Sequence, residues 1–184
     1  MNRILLVLLL FSACLSACKK TNDVAAQIQA QSVIDDKIIT TYLNSKGLPV
    51  NQVDTISTTT GVPGPTGECY IINSPGSGNT LFTSSTQVTV GYTGQILAPN
   101  GTLGPIFAQT NDFHPSYVLG EVIRGWQIGI PKISIGGTIT LYIPSRYAYG
   151  PYDQPQPGST GNSVHIPANS VLVFNITLYN VTNQ

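Results

Sequence analysis

The segment Leu172-Val173-Phe174-Asn175-Ile176-Thr177-Leu178 decides the fold class of this chain, because every second residue in it is strongly apolar. Successive side chains of a β-strand point to opposite faces, so the alternation predicts a strand with one face in the core. The segment 133–143 shows the same pattern, and its apolar positions are Ile133, Ile135, Ile139, Leu141 and Ile143. The second half of the chain is therefore expected to be rich in half-buried strands.

Two more strands and one helix complete this part of the pattern. Short apolar or alternating runs predict strands at 69–72 and 87–97. Between the strands, Val122, Trp126 and Ile130 recur every fourth residue and share one helix face, which predicts a helix over 121–130. Strands outnumber helices, so we predict an α+β fold in which an antiparallel sheet wraps around one short helix, with a further helix before it.

That further helix is predicted at 32–47. Ser32 followed by Asp35 has the spacing of a capping box, and Gly47 is a typical helix end. The apolar residues between them recur at helical spacing: Ile34, Ile38, Ile39, Tyr42 and Leu43. Packing against the main domain is one use of this stripe, and dimerisation or contact with a membrane surface is the alternative.

The first 17 residues have the pattern of a secretory signal. Asn2 and Arg3 precede an apolar run that is too short to span a bilayer, and small residues follow it. The end of the run, Leu15-Ser16-Ala17-Cys18, resembles a bacterial lipobox, which predicts lipidation of Cys18 and a bacterial cell-envelope location outside the cytoplasm. Cys14 is a weaker acceptor because Phe11 stands where a small aliphatic residue is preferred. A plain secretory signal cleaved near Ala17 is the alternative.

The remaining divisions follow from composition. Residues 18–31 predict a flexible tether, 48–67 a linker rich in Gly, Pro and Thr, and 68–184 the main domain. The formal net charge is zero and only 9% of residues are charged, which argues against nucleic-acid binding. Cys69 has no disulfide partner once the other two cysteines are accounted for, so it is expected to be a small buried residue. Two histidines and one free cysteine do not make a standard zinc site, and no metal or cofactor is expected.

Four segments of the main domain occur in an order that resembles the FKBP-type peptidyl-prolyl cis-trans isomerases, and the preceding helix and linker resemble lipoprotein members of that family. They are spread in register over 68–184, and they are Val90-Gly91-Tyr92-Thr93-Gly94, Val118-Leu119-Gly120-Glu121-Val122-Ile123-Arg124-Gly125-Trp126, Tyr147-Ala148-Tyr149-Gly150 and Ile166-Pro167-Ala168-Asn169-Ser170-Val171-Leu172-Val173-Phe174. The resemblance implies an FKBP-like fold and an apolar pocket that receives a substrate proline.

The resemblance also implies which residues form that pocket. The catalytic set it implies consists of Tyr92, Phe107, Trp126, Tyr149 and Phe174. Substrate-binding positions are Val122, Ile123 and Ile166. Trp126 is expected to be the floor, while the backbone N–H of Ile123 and the hydroxyl of Tyr149 are expected to donate to substrate carbonyls. Such a pocket lowers the barrier to rotation about the X–Pro bond and needs no cofactor.

The function implied is therefore isomerisation of X–Pro bonds in proline-containing segments of exported proteins. Two departures from the family pattern favour an alternative, a catalytically weak peptide-binding or chaperone module. Ala108 stands where the family usually has an aspartate, and Pro115 stands where a further pocket aromatic is common, with Phe113 as its possible replacement. The loop 151–165 is longer than usual and is expected to overhang the pocket.

Overall fold

The structure is a computed structural model that describes residues 2–48, 54–56, 67–154 and 165–183, with the backbone alone for 2–23 and 54–56. The two helices are α1 (Asn2–Ser45) and α2 (Arg124–Gly129). The strands are β1 (Asp54–Ile56), β2 (Glu68–Ser74), β3 (Gln87–Leu97), β4 (Leu103–Gln109), β5 (Ser116–Val118), β6 (Thr138–Ile143) and β7 (Val171–Thr182). Short 3₁₀ turns at Leu119–Glu121, Ile130–Lys132 and Ser145–Tyr147 connect some of these elements.

The strands of the described chain form one antiparallel sheet in the order β1-β2-β6-β7-β3-β4, and β5 pairs with β3 beside that path. The long central pair is β3 and β7, which runs from Gln87 opposite Thr182 to Leu97 opposite Val171, with a register shift between Thr89 and Val90. The alternating apolar residues of β7 lie on the core face, where each is at most 4% exposed. Helix α2 packs on that face, so the predicted α+β architecture, with a sheet wrapped around one short helix, is confirmed.

Two element boundaries and one strand differ from the sequence prediction. Strand β3 occupies the predicted residues. Helix α2 begins only at Arg124, because Val122 and Ile123 before it have extended ψ angles of 170° and 149°. Strand β6 begins at Thr138, since Gly136 has a φ of 81° and ends the run from Ile133. Strand β4 was not predicted, because Phe107 is its one buried residue and an edge strand of that kind shows no alternation.

Helix α1 starts well before the predicted residue 32. It passes through the segments predicted as signal and flexible tether, and the alanines at 25, 26 and 30 are strong helix formers. Ser32 is consequently not an N-cap, and the predicted capping box is wrong: the Ser32 hydroxyl donates to the Gln29 carbonyl at 2.7 Å. The helix ends before Gly47, whose φ is 70°. The divisions at residues 17, 31 and 67 stay predictions. Most of the predicted linker 48–67 lies outside the described residues.

The C-terminal part of α1 packs on the face of the sheet that is opposite α2. Its buried side chains are Ile38, Ile39, Tyr42 and Leu43, and they contact Cys69, Leu97, Tyr142, Val171 and Val173. Of the predicted stripe, Ile34 alone remains 51% exposed. Most of the predicted apolar stripe of α1 therefore packs against the main domain. Cys69 is 3% exposed, which confirms the predicted small buried residue, and burial raises the pKa of its thiol to about 12.

A buried carboxylate fixes α1 to the domain. Asp35 is fully buried, and its Oδ2 accepts hydrogen bonds from the backbone N–H of Ser145 at 2.8 Å and from the Ser145 hydroxyl at 2.7 Å. Its Oδ1 accepts a bond from the amide of Gln31 at 2.8 Å. The neighbouring Asp36 lies 3.5 Å from the guanidinium of Arg146, and both side chains are 16% exposed. Two consecutive acidic residues of α1 thus hold two consecutive residues of the segment after β6.

We expect Asp35→Asn to lower the free energy of unfolding by about 2 kcal/mol, because the Asn NH2 group would face a donor, of Gln31 or of Ser145, and the remaining hydrogen bonds would lose their charge assistance. Asp36→Asn is the matched control. Burial raises the pKa of Asp36 more than Arg146 lowers it, so loss of that charge should cost well under about 1 kcal/mol. Urea denaturation of the two variants checks the difference, and equal losses would contradict the anchoring role of Asp35.

A second buried carboxyl group lies on the core face of the sheet. Glu68 is fully buried at the start of β2, and neither of its oxygens has a hydrogen-bond partner within the described residues. One oxygen is 3.1 Å from the position that a Cβ on Gly129 would take, at the end of α2. Burial raises the pKa of Glu68 to about 9, so the group is neutral at pH 7.

This raised pKa makes the fold lose stability as pH rises. Between the ordinary pKa of 4.5 and the native value of about 9, unfolding releases the proton of Glu68. The free energy of unfolding should therefore fall in that window, by at most about 1.4 kcal/mol per pH unit. Glu68→Gln should flatten the dependence, whereas the exposed Glu121→Gln should not. Urea unfolding at pH 5, 7 and 9 measures both, and an unchanged slope in Glu68→Gln would refute the assignment.

Candidate active site

Five aromatic rings from five elements meet on the core face of the sheet. The ring of Trp126 on α2 is at their centre. The centroid distances from Trp126 are 4.9 Å to Tyr92 on β3, 5.2 Å to Phe174 on β7 and 5.9 Å to Tyr117 on β5, all with nearly perpendicular rings. Phe107 on β4 extends the cluster at 5.6 Å from Phe174. Edge-to-face contacts of this kind stabilise aromatic clusters beyond the burial of their area.

Two glycines of α2 bring Trp126 this close to the sheet. A Cβ on Gly125 would lie 2.6 Å from a methyl carbon of Ile143, and one on Gly129 would lie 2.5 Å from a methyl carbon of Leu141. Both distances are below van der Waals contact, so α2 can rest on β6 only without side chains at these positions. The sequence Arg124-Gly125-Trp126 therefore sets the depth at which the indole ring lies.

The indole N–H of Trp126 is buried and has no hydrogen-bond acceptor among the residues that the structure describes. The side chain is only 5% exposed. Buried donors are usually satisfied, and one that is not deserves a functional explanation. The floor of the site therefore combines an apolar surface with one unused donor.

Tyr117 belongs to the cluster although the sequence analysis did not include it. Its hydroxyl lies 3.2 Å from the hydroxyl of Tyr92. Burial, with a smaller contribution from this hydrogen bond, raises the pKa of Tyr92 above its usual value. Phe113, the expected replacement for a pocket aromatic, is 72% exposed and lies outside the cluster, so that prediction is wrong. The pairing of β5 with β3 brings Tyr117 into contact, and no local sequence signal marks it.

The segment that precedes α2 offers a backbone donor. Val122 and Ile123 both pack against the aromatic cluster. Ile123 is extended, and its carbonyl accepts the N–H groups of Trp126 and Gln127, at 3.0 Å and 3.3 Å. Within the described chain its own N–H has no acceptor. This donor is therefore available beside the ring of Trp126.

Tyr149 lies on the turn that α1 anchors. The N–H groups of Ala148 and Gly150 both donate to the carbonyl of Ser145, at 2.9 Å and 2.8 Å, and so close the turn around residue 149. The Tyr149 ring is half-buried against the cluster, and burial raises the pKa of its hydroxyl. A raised pKa keeps this phenol protonated, which is the form that donates hydrogen bonds.

The structure brings all eight predicted pocket residues into or against one cluster. Ile166 is 2% exposed and pairs with Gln154 through two backbone hydrogen bonds. Residues 155–164 of the loop 151–165 lie outside the described residues, so its overhang above the pocket stays a prediction. Ala108 packs beside the cluster and supplies no carboxyl group there; Asp112 is exposed. The side chain of Cys18 also lies outside the described residues. The individual roles of these residues stay predictions.

Comparison with known proteins identifies relatives of the main domain. A family model described as FKBP-type peptidyl-prolyl cis-trans isomerase matches residues 78–179. FK506-binding protein 1 of Saccharomyces cerevisiae is 39% identical over 109 residues, which are 59% of this chain and 87% of that protein. The FKBP-type peptidyl-prolyl cis-trans isomerase FkpA of Buchnera aphidicola is 35% identical over 126 residues, 64% of this chain but only 42% of its own length.

Solved structures agree with this result. FkpA from Escherichia coli superposes with a TM-score of 0.56 at 28% identity, and the match covers 94% of this chain and 71% of FkpA. A peptidyl-prolyl cis-trans isomerase from Pseudomonas syringae gives the same TM-score at 25% identity, with 86% and 96% of the two chains covered. The similarity therefore extends to the arrangement of the strands and helices.

Proposed function

The chain belongs to the FKBP-type peptidyl-prolyl cis-trans isomerases, and from this membership we propose how its aromatic cluster rotates X–Pro bonds. As a member of this family it is an enzyme that acts on proline-containing peptide segments. The observation that carries the proposal is the convergence of five rings from five elements, with Trp126 at the centre and distances between the centroids of neighbouring rings of 4.9 Å to 6.4 Å.

The chemistry needs binding and desolvation only. Rotation about an X–Pro bond breaks the amide resonance, which costs about 18–20 kcal/mol and makes the uncatalysed reaction take tens to hundreds of seconds. The twisted bond is less polar than the planar one. A pocket with Trp126 as floor and Tyr92, Phe107 and Phe174 as walls therefore favours the transition state over the ground state, because an apolar surface replaces water around it.

Two hydrogen-bond donors orient the peptide in this proposal. The N–H of Ile123, which is free within the described chain, lies just before α2, and the hydroxyl of Tyr149 lies on the turn that begins at Ser145. Donation to the carbonyls on either side of the proline would hold the flanking peptide while the prolyl bond turns. Val122 and Ile166 complete the apolar edge. Nothing in this scheme uses a nucleophile, a metal or a cofactor.

We expect Tyr149→Phe to lower kcat/KM for a prolyl tetrapeptide by about threefold to tenfold, the usual worth of one hydrogen bond. The ring stays in place, so the fold should be retained. Tyr179→Phe is the control: this tyrosine of β7 is 46% exposed and stacks on His114, away from the cluster. A protease-coupled isomerisation assay measures all three proteins. Equal activity of Tyr149→Phe and the wild type would remove Tyr149 from the mechanism.

The same assay on the wild type separates the enzyme from the alternative of a catalytically weak binding module. The family match favours the enzyme. Ala108 packs beside the cluster where the family usually has an aspartate, and Asp112 is exposed, so turnover in this scheme depends on the apolar cluster and the two donors. A wild-type rate no faster than the uncatalysed one would leave peptide binding as the function of the domain.

We also propose that the chain is exported and anchored through a lipid on Cys18, outside the cytoplasm, where it serves exported proteins. The support is the order of a charged start, an apolar run and Leu15-Ser16-Ala17-Cys18. A membrane-spanning helix was not found in the described part of the chain. Acylation would hold the domain at the membrane surface of the bacterial envelope.

Metabolic labelling with a radioactive fatty acid tests the anchor. We expect label on the wild type and on Cys14→Ser, and none on Cys18→Ser, which should leave the membrane fraction. Label that persists in Cys18→Ser would show that the lipobox assignment is wrong. Release of unlabelled wild-type protein into the soluble fraction would favour the plain secretory signal.

A further inference from the structure

We propose that a groove between α1 and the segment 145–152 binds apolar residues of an unfolded polypeptide that flank the proline in the active site. This inference rests on the proposed isomerase function and adds the class of substrate, extended chains with uncharged apolar flanks. The groove is not part of the aromatic cluster. Its two walls come from parts of the chain that are more than a hundred residues apart.

The groove has a cavity volume of about 660 Å³, which is within the usual range of ligand-binding clefts. Its α1 wall carries Val24, Ile28 and Ile34. Its other wall carries Tyr149, Pro151 and Tyr152. Space for several amino-acid side chains therefore lies between two largely apolar surfaces.

The apolar side chains of the groove are exposed, whereas the apolar side chains further along α1 are buried against the sheet. Val24, Ile28 and Ile34 are 52%, 47% and 51% exposed, and Tyr152 is 71% exposed. One turn further along the helix, Ile38 and Ile39 are buried against the sheet. The apolar stripe thus continues beyond the contact that it makes with the domain. Exposed apolar patches of this kind are typical of binding surfaces.

Tyr149 connects the groove with the active site. Its ring lines the groove, and it also packs against the cluster that contains Tyr92 and Trp126. A peptide whose carbonyl accepts a bond from the Tyr149 hydroxyl therefore has its next residues at the mouth of the groove. This continuity favours the flanking residues of the substrate over an unrelated ligand as the occupant.

The charges of the groove fit an uncharged occupant. Among its described lining residues, Arg146 carries the one formal charge. That charge is already engaged, because the guanidinium lies 3.5 Å from Asp36 and 5.0 Å from the centroid of the Tyr147 ring. The two hydrogen bonds that Ser145 donates to Asp35 hold the two walls together, so the groove is already formed in the structure.

The test compares two substrates of the full-length chain. One is a prolyl tetrapeptide, and the other has the same core extended by four leucine and alanine residues on each side. For the wild type we expect kcat/KM for the extended peptide to exceed that for the tetrapeptide about tenfold, the worth of one apolar side chain buried. Ile28→Ser/Ile34→Ser should reduce this ratio to about one. Val33→Ser, on the same helix, 63% exposed and outside the groove, should leave it unchanged.

A binding measurement separates the groove from catalysis. A dansyl-labelled apolar peptide without proline should bind the wild type and Val33→Ser, and its Kd for Ile28→Ser/Ile34→Ser should be about tenfold higher. If the wild type turns over the tetrapeptide, but Ile28→Ser/Ile34→Ser has the same ratio of kcat/KM values and the same Kd as the wild type, the groove proposal is wrong and the isomerase proposal stands. Peptide binding without any turnover would overturn the isomerase while the groove stands.

One further outcome would overturn the proposal. If the wild type sediments as a dimer at assay concentrations and the double variant sediments as a monomer, a second copy of the chain occupies the groove. Melting curves by circular dichroism check that the variants fold. Little loss of stability is expected, because both isoleucines are about half exposed and serine and isoleucine have similar helix propensities.

Discussion

Close contact between α2 and strand β6 is the constraint on which the site depends. Leu141 and Ile143 occupy the space where Gly129 and Gly125 would otherwise carry side chains. This contact lowers Trp126 into the middle of the sheet, where rings from β3, β5 and β7 surround it. Since a protein interior is packed like a crystal, an added methyl group at either glycine would lift the indole ring and open the cluster.

A second constraint holds the other side of the site. The carboxylate of Asp35 binds Ser145, and the turn that begins there carries Tyr149. Helix α1 is thus more than a spacer before the domain, because its acidic residues determine where one proposed donor stands. The same helix supplies one wall of the proposed peptide groove. Anchoring, orientation of Tyr149 and binding of a longer substrate therefore share one contact between residues 35 and 145.

Patterns within a few residues of one another were enough to predict β3, the core face of β7 and the α+β class. The resemblance to a family predicted four of the five rings of the cluster, those of Tyr92, Phe107, Trp126 and Phe174. What could not be predicted depends on long-range contacts. Tyr117 joins the cluster through pairing with β3, Asp35 is buried by Ser145, and Glu68 is enclosed near Gly129. Ser32 and Asp35 imitated a helix cap because local spacing alone does not show where a helix begins.

Trp126 is the one tryptophan of the chain, so its fluorescence reports on the floor of the site directly. We would titrate the full-length chain with a short peptide that contains an alanyl-prolyl bond and, separately, with the same peptide in which alanine replaces proline. If the cluster receives the proline ring, the prolyl peptide will change the emission of Trp126 in a saturable way and the alanine peptide will not. An unchanged emission, or the same change with both peptides, would contradict the assignment.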